Sequence, residues 1–176
     1  MSLVYVAKAG SFDDFLKEYT PADAAYVGAG GRPLLFQSIA NKDVSARVAI
    51  TTRLLDDGAD PSVVSGGINV LHVLFGQRAH DAELEAPMLR RLITGGADVN
   101  LVSKRWGPPM ASLIQYGPSP EEKRVPFYDV LFEQPNLDFS LPYMKGTLRD
   151  LIFNSVWNLP ILRERVLAYE SKQPQA

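Results

Sequence analysis

The chain has 176 residues, of which 46% are hydrophobic and 22% charged, so it is long and apolar enough to bury a substantial core. A formal net charge of −2 argues against binding to nucleic acid or anionic lipid, and the absence of cysteine excludes disulfides, thiol nucleophiles and cysteine-ligated metals. With no secretory signal and no apolar stretch near the roughly 18 residues of a membrane-spanning helix, we expect a cytoplasmic protein that contacts neither nucleic acid nor membrane.

A short helix start recurs five times along the chain. Apolar or small residues at its third, sixth and seventh positions predict one buried helix face. A longer amphipathic stretch follows each of the first four starts and predicts a second helix. The five starts are MSLVYVAKA at the N-terminus, PLLFQSIAN from Pro33, NVLHVLFGQ from Asn69, PPMASLIQY from Pro108 and GTLRDLIFN from Gly146.

The end of the second helix carries the most specific pattern. Residues 54–62 read LLDDGADPS, and residues 92–100 read LITGGADVN. Gly58 and Gly96 are predicted to close their helices in the left-handed conformation that glycine adopts without steric cost, with Asn136 replacing glycine in a third copy.

An aspartate follows each helix stop and is predicted to start a tight turn by accepting a hydrogen bond from its own following backbone. The intervals between successive aspartates are 37, 38 and 40 residues. About ten residues separate each aspartate from the next helix start, which indicates a projecting excursion of the chain. The four aspartates are Asp23, Asp60, Asp98 and Asp138.

Together, these starts and stops resemble the ankyrin repeat, over nearly the whole chain. The resemblance implies an all-α, ankyrin-like helical solenoid of about five helix-loop-helix units with projecting hairpin loops. The repeat period of this chain is longer than the family's roughly 33 residues. The extra residues fall between the two helices of a unit. Tetratricopeptide and HEAT-like arrays are the alternative, but neither requires the glycine stop. The expected repeats are 1–32, 33–68, 69–107, 108–145 and 146–170, forming one domain over 1–170, with a disordered tail at 171–176.

The resemblance also implies a binding surface on the outward face of the first helices and on the hairpins. Its amides and aromatic rings suit a protein surface. We therefore expect a non-catalytic protein–protein interaction module that regulates or inhibits another protein, with no cofactor and no metal. The predicted protein-binding residues are Tyr5, Gln37, Asn41, Gln77, Trp106, Gln115, Tyr116 and Tyr143.

Two other hypotheses stay open. His72 occupies the position of the family's structural histidine, so we expect it to support the fold. The second hypothesis is a small-molecule or metal-dependent activity at the loop with His80, Asp81, Glu83 and Glu85. Helix capping by these acidic residues is the competing interpretation. The third hypothesis is self-assembly through the degenerate first and last repeats, against the expectation of a monomer.

Overall fold

A computed structural model describes residues 1–174. In this part of the chain, ten α-helices make the protein mostly helical, at 57%, and one small two-stranded antiparallel sheet accompanies them. The elements are α1 Leu3–Ala9, α2 Phe12–Glu18, α3 Leu34–Ile39, α4 Val44–Asp56, α5 Val70–Phe75, α6 Ala82–Thr94, α7 Pro109–Tyr116, α8 Val125–Phe132, β1 Pro142–Tyr143, β2 Gly146–Thr147, α9 Leu148–Asn154 and α10 Pro160–Lys172.

The helix stops at the two glycines are confirmed. Gly58 has φ +93° and Gly96 has φ +112°. The amide of the following residue, Ala59, donates to the Leu54 carbonyl at 2.9 Å. Gly58 itself donates to the Leu55 carbonyl, so the pair of bonds satisfies two orphan carbonyls at the end of α4. The same two bonds close α6.

The predicted left-handed stop at Asn136 is wrong. Among the described residues, Met144 is the one non-glycine residue with positive φ. Helix α8 ends at Phe132, and Pro135 follows closely. Proline disfavours helical conformation in the residue before it, so this helix ends without a left-handed residue.

Three of the four aspartate turns are confirmed. Asp60 accepts from the Ser62 amide at 2.8 Å, and Asp98 accepts from the Asn100 amide at 2.8 Å. Asp138 makes the same bond to the residue two positions on. Asp23 differs, because it lies within the 3-10 helix Pro21–Ala25, where its carboxylate accepts from the amide of Thr20 and so caps the start of that helix.

A short antiparallel hairpin follows each aspartate. Single bridges join Val27 to Pro33, Ser65 to Ile68 and Ser103 to Gly107, and β1 pairs with β2 in the last copy. We refer to residues 26–33, 62–69, 100–108 and 140–147 as the first to fourth hairpins.

The helices lie in two layers, which sandwich the core. The first helices of the pairs (α1, α3, α5, α7 and α9) each contact the next, and so do the second helices (α2, α4, α6, α8 and α10). One helix pair begins within each of the five expected repeat segments, although α10 extends two residues past the last segment. Helix α10 includes Ser171 and Lys172, which had been assigned to the tail, whereas residues 175 and 176 lie outside the described range. Within residues 1–174, no helix combines the length and apolar character needed to cross a bilayer.

Candidate functional site

A pocket of about 350 Å³ opens between α5, α7 and the third hairpin. Its volume lies at the lower end of the roughly 300–1,000 Å³ typical of ligand pockets. We call it the α5–α7 pocket. It is lined by Ile68, His72, Val73, Gly76, Gln77, Arg78, Trp106, Ser112 and Tyr116.

Two aromatic rings form one wall of the α5–α7 pocket. Trp106 and Tyr116 pack edge to face with ring centroids 6.4 Å apart. The Arg105 guanidinium lies 4.6 Å from the centre of the Trp106 ring. Trp106 is half-buried, and Tyr116 is 42% exposed. Both rings therefore combine a fixed position with surface that a partner can reach.

The third hairpin is held in place by its own short-range bonds. The Ser103 hydroxyl accepts from the amides of Arg105 and Trp106, each at 3.3 Å. Gly107 takes φ +70° and bonds back to the Ser103 backbone. The sequence SKRWG is thus a closed turn that fixes the direction of the tryptophan.

His72 fastens this hairpin to α5. Its Nδ1 accepts from the Asn69 amide at 3.2 Å, and its Nε2–H donates to the Gly107 carbonyl at 2.9 Å. Burial lowers the pKa of His72 below its usual range, which favours the neutral ring that this bonding needs. The prediction that His72 is structural is confirmed.

Asn69 joins the start of α5 to the turn that precedes the third hairpin, beside the pocket. Its Oδ1 accepts from the amide of Leu71 at 3.0 Å at the start of α5, and its Nδ2 donates to the Asp98 carbonyl at 2.8 Å. The start of α5 and the turn before the third hairpin, which support the pocket wall, are therefore bonded to each other.

The structure brings three of the predicted binding residues together in the α5–α7 pocket. Gln77 lies beside Trp106 and Tyr116, and its Nε2 donates to the Val73 carbonyl at 2.9 Å. Gln115 and Tyr143 bond to each other, Gln115 Nε2 donating to the tyrosine hydroxyl, and join α7 to the fourth hairpin.

Two predicted residues lie in the same helix layer but outside the pocket. Tyr5 on α1 is 55% exposed, and Gln37 on α3 is half-buried. Their helices are one or two pairs away from α5. A partner that contacts them as well as the pocket must span at least three repeats.

Asn41 was predicted to face a partner, and this prediction is wrong. The residue is 2% exposed, and its Nδ2 donates to the carbonyls of Ala7 and Gly10 at 3.0 Å. Helix α3 ends at Ile39, so Asn41 lies beyond the helix, where its amide satisfies free carbonyls at the end of α1.

The His80 loop is organised by internal bonds. Asp81 caps α6 by accepting from the Leu84 amide at 3.1 Å, as the capping interpretation expected, and Glu83 is exposed. The side chains of His80 and Glu85 are fully buried, and Glu85 accepts from His80 Nδ1 at 3.0 Å. Within residues 1–174, no group of three or more histidine, aspartate or glutamate side chains is placed to hold a metal ion.

Sequence reasoning missed the buried partner of this loop. Arg47 on α4 is fully buried, pairs with Glu85, and donates to the carbonyls of Asn41 and Ala79 at 2.9 Å. It ties together the loops between the helices of the second and third repeats, where the extra residues of the long period fall. The available signal was a charged residue on the apolar face that includes Ile50 and Leu54.

The pairing of surface charge differs between the second helix layer and the hairpins. In the second layer, ion pairs connect successive repeats, with Arg91 to Asp56 at 2.7 Å and Arg90 to Glu133 at 2.7 Å. Arg165 on α10 pairs with an aspartate of α8. The four hairpins contain no aspartate or glutamate, and over residues 1–174 their basic side chains make no ion pair. These basic residues are Arg32, Lys104, Arg105 and Lys145.

Comparison with known proteins leaves the function unassigned. No family model matches the chain, and no curated protein matches it. A crystal structure of a functionally unknown protein from Leptotrichia buccalis C-1013-b is similar with a TM-score of 0.74 and 19% sequence identity. The match covers 99% of this chain and 96% of that one. At this identity the likeness shows that the two proteins share a fold.

Proposed function

We propose that the chain is a non-catalytic interaction module of ankyrin-repeat type that binds a protein partner on its first-helix layer and hairpins. The ankyrin assignment is supported by the glycine stops, the aspartate turns and the hairpin after each turn. His72, at the start of α5, bonds to the hairpin of its own repeat. In proteins built from stacked repeats, the helix layer and hairpins of successive repeats form an extended binding surface.

The α5–α7 pocket is the observation that carries this proposal. Gln77, Trp106 and Tyr116 meet there, with Arg105 stacked on the tryptophan. Tryptophan, tyrosine and arginine are the residue types that most often dominate binding energy at interfaces. Because the hairpin and α5 are already bonded in place, little ordering is needed when a partner binds.

The chemistry of the pocket favours binding over catalysis. Its ionisable side chains are His72, Arg78 and Tyr116. Both ring nitrogens of His72 are already bonded, so this imidazole is not free to accept a substrate proton. Such a module regulates or inhibits its partner by covering part of the partner's surface.

Affinity capture from a lysate of the source organism tests the proposal. The baits are the wild type, a Trp106→Ala/Tyr116→Ala variant and a control variant, Trp157→Ala, which removes a 40% exposed tryptophan from the α9–α10 loop. We expect one protein to be retained by the wild type and the control and lost by the double variant, with melting temperatures within a few degrees. Equal retention by all three baits would contradict the proposed site.

The proposal includes a monomer acting in the cytoplasm. Light scattering checks the first part, because a monomer keeps the mass of one chain at every concentration. A mass that rises with concentration would instead favour self-assembly through the end repeats, where Val156 is 99% exposed.

A further inference from the structure

We infer that the partner offers an extended acidic segment that crosses the four hairpins and places an apolar side chain in the α5–α7 pocket. This inference rests on the proposed function and adds the chemistry of the partner. It draws on three features of the hairpins: their charge, their exposed apolar residues and their spacing.

The hairpins form a positive edge on a chain whose net charge is −2. They carry Arg32, Lys104, Arg105 and Lys145, with no acidic residue among them. The carboxylates at their bases, such as Asp60 and Asp98, already accept bonds from their own turns. Unpaired exposed cations attract an acidic partner and repel a basic one. They therefore discriminate between partners by charge, and they also increase the rate of association.

An apolar position recurs in the hairpins beside these charges. Four residues after each turn aspartate, the chain places Val27, Val64, Val102 or Pro142, and all four are exposed. Met144 at the tip of the fourth hairpin is 88% exposed. A partner that carried charge alone would leave this row in water, so we expect it to carry apolar residues as well as acidic ones.

The spacing of the hairpins suits an extended chain. Neighbouring packed helices lie about 8–10 Å apart, and an extended chain rises about 3.3 Å per residue. An extended segment therefore advances from one hairpin to the next in about three residues. A segment of about ten residues spans all four.

A peptide fits this edge better than a nucleic acid does. Single-stranded nucleic acid carries a phosphate at every nucleotide and binds in a groove that is positive along its length. The second hairpin, residues 62–69, has no charged residue and exposes Val64. This interruption of the positive charge favours a segment that carries both acidic and apolar side chains.

The test selects random 12-residue peptides displayed on phage against the full chain and measures the enriched peptides by fluorescence anisotropy. The variants are Trp106→Ala, Lys104→Glu/Arg105→Glu and, as a control with the same change in charge, Lys42→Glu/Lys123→Glu. Lys42 and Lys123 are exposed in the loops between paired helices, away from the hairpins. We expect the enriched peptides to be acidic and to contain an aromatic or aliphatic residue. Their affinity should be about tenfold or more weaker for each of the two hairpin variants than for the wild type, and should change by no more than about twofold for the control.

The other outcomes separate the two proposals. Neutral or basic peptides that still require Trp106 would overturn the acidic segment and leave the proposed function standing. Peptides that bind all variants equally would overturn both. Failure to enrich any peptide would overturn the extended segment. Tighter binding of a 20-nucleotide single-stranded DNA than of any peptide, lost in Lys104→Glu/Arg105→Glu, would assign the edge to nucleic acid instead.

Discussion

The second helix layer and the hairpins differ in whether their exposed basic side chains are paired with carboxylates. In the second layer, exposed arginines such as Arg90 and Arg91 pair with carboxylates of neighbouring repeats. Along the hairpins that border the first layer, Lys104 and Lys145 have no acidic neighbour within their hairpins. The difference supports the proposal that the second layer joins the repeats, whereas the hairpin edge offers its charged and aromatic surface to a partner.

The largest stability effect is expected where charge is paired and buried. Replacing Glu85 with alanine leaves Arg47 charged and buried without its carboxylate, which we expect to lower the free energy of unfolding by about 3–5 kcal/mol. Urea denaturation measures this change. A matched Glu133→Ala variant breaks an exposed pair with Arg90 and is expected to cost less than about 1 kcal/mol. Equal costs would show that burial does not distinguish the two pairs.

A smaller effect is expected at the two helix stops. Both Gly58 and Gly96 have positive φ, so an alanine there costs about 1–2 kcal/mol of backbone strain. An added Cβ at Gly58 meets nothing within 4 Å, whereas at Gly96 it lies 3.0 Å from the Ser62 Cβ. We therefore expect Gly96→Ala to unfold at lower urea than Gly58→Ala. The reverse order would contradict the contact between these turns.

The hairpin support at His72 predicts a dependence on pH. Burial lowers the pKa of His72 in the folded chain, so the unfolded chain takes up a proton first as the pH falls. Its contribution to stability is fully present above the unfolded pKa of about 6.5 and is lost progressively below it. We expect the free energy of unfolding to fall less between pH 7 and pH 5 in His72→Gln than in the wild type. If the free energy of unfolding fell equally with pH in both proteins, a buried His72 that stays neutral would be excluded.

The smallest effect is expected from one surface pair of the second layer. Arg91→Ala removes the bond to Asp56, and an exposed pair of this kind contributes between zero and about 1 kcal/mol. The wild-type advantage should shrink further in about 1 M salt, because screening weakens exposed charges. A loss of several kcal/mol would mean that this layer depends on single pairs.

Local sequence was sufficient to predict the repeating parts of the fold. The glycine stops at Gly58 and Gly96 and the turn at Asp98 follow from residues within a few positions of each other, whereas the structural role of His72 was expected from its position in the repeat. The repeat register placed Gln77 and Trp106 on one predicted binding surface, and the structure shows both lining one pocket. Side chains placed by neighbouring residues are the easiest to predict.

Contacts between residues far apart in the chain could not be predicted from the sequence. Arg47 and Glu85 lie 38 positions apart, and their pairing depends on two loops meeting in space. Asn41 was misplaced because its exposure depends on where α3 ends, one or two residues from the predicted boundary. Helix boundaries are uncertain by this amount, and one position is enough to turn a side chain from the surface to the neighbouring repeat.

Amide hydrogen exchange with and without a captured partner most directly tests the proposal that the partner binds the first helix layer and the hairpins. We expect partner binding to slow exchange in residues 62–78 and 100–117, which include the α5–α7 pocket and the third hairpin, and to leave α6, α8 and α10 unchanged. Protection confined to α6, α8 and α10, with unchanged exchange in the hairpins, would contradict the assignment of the binding face.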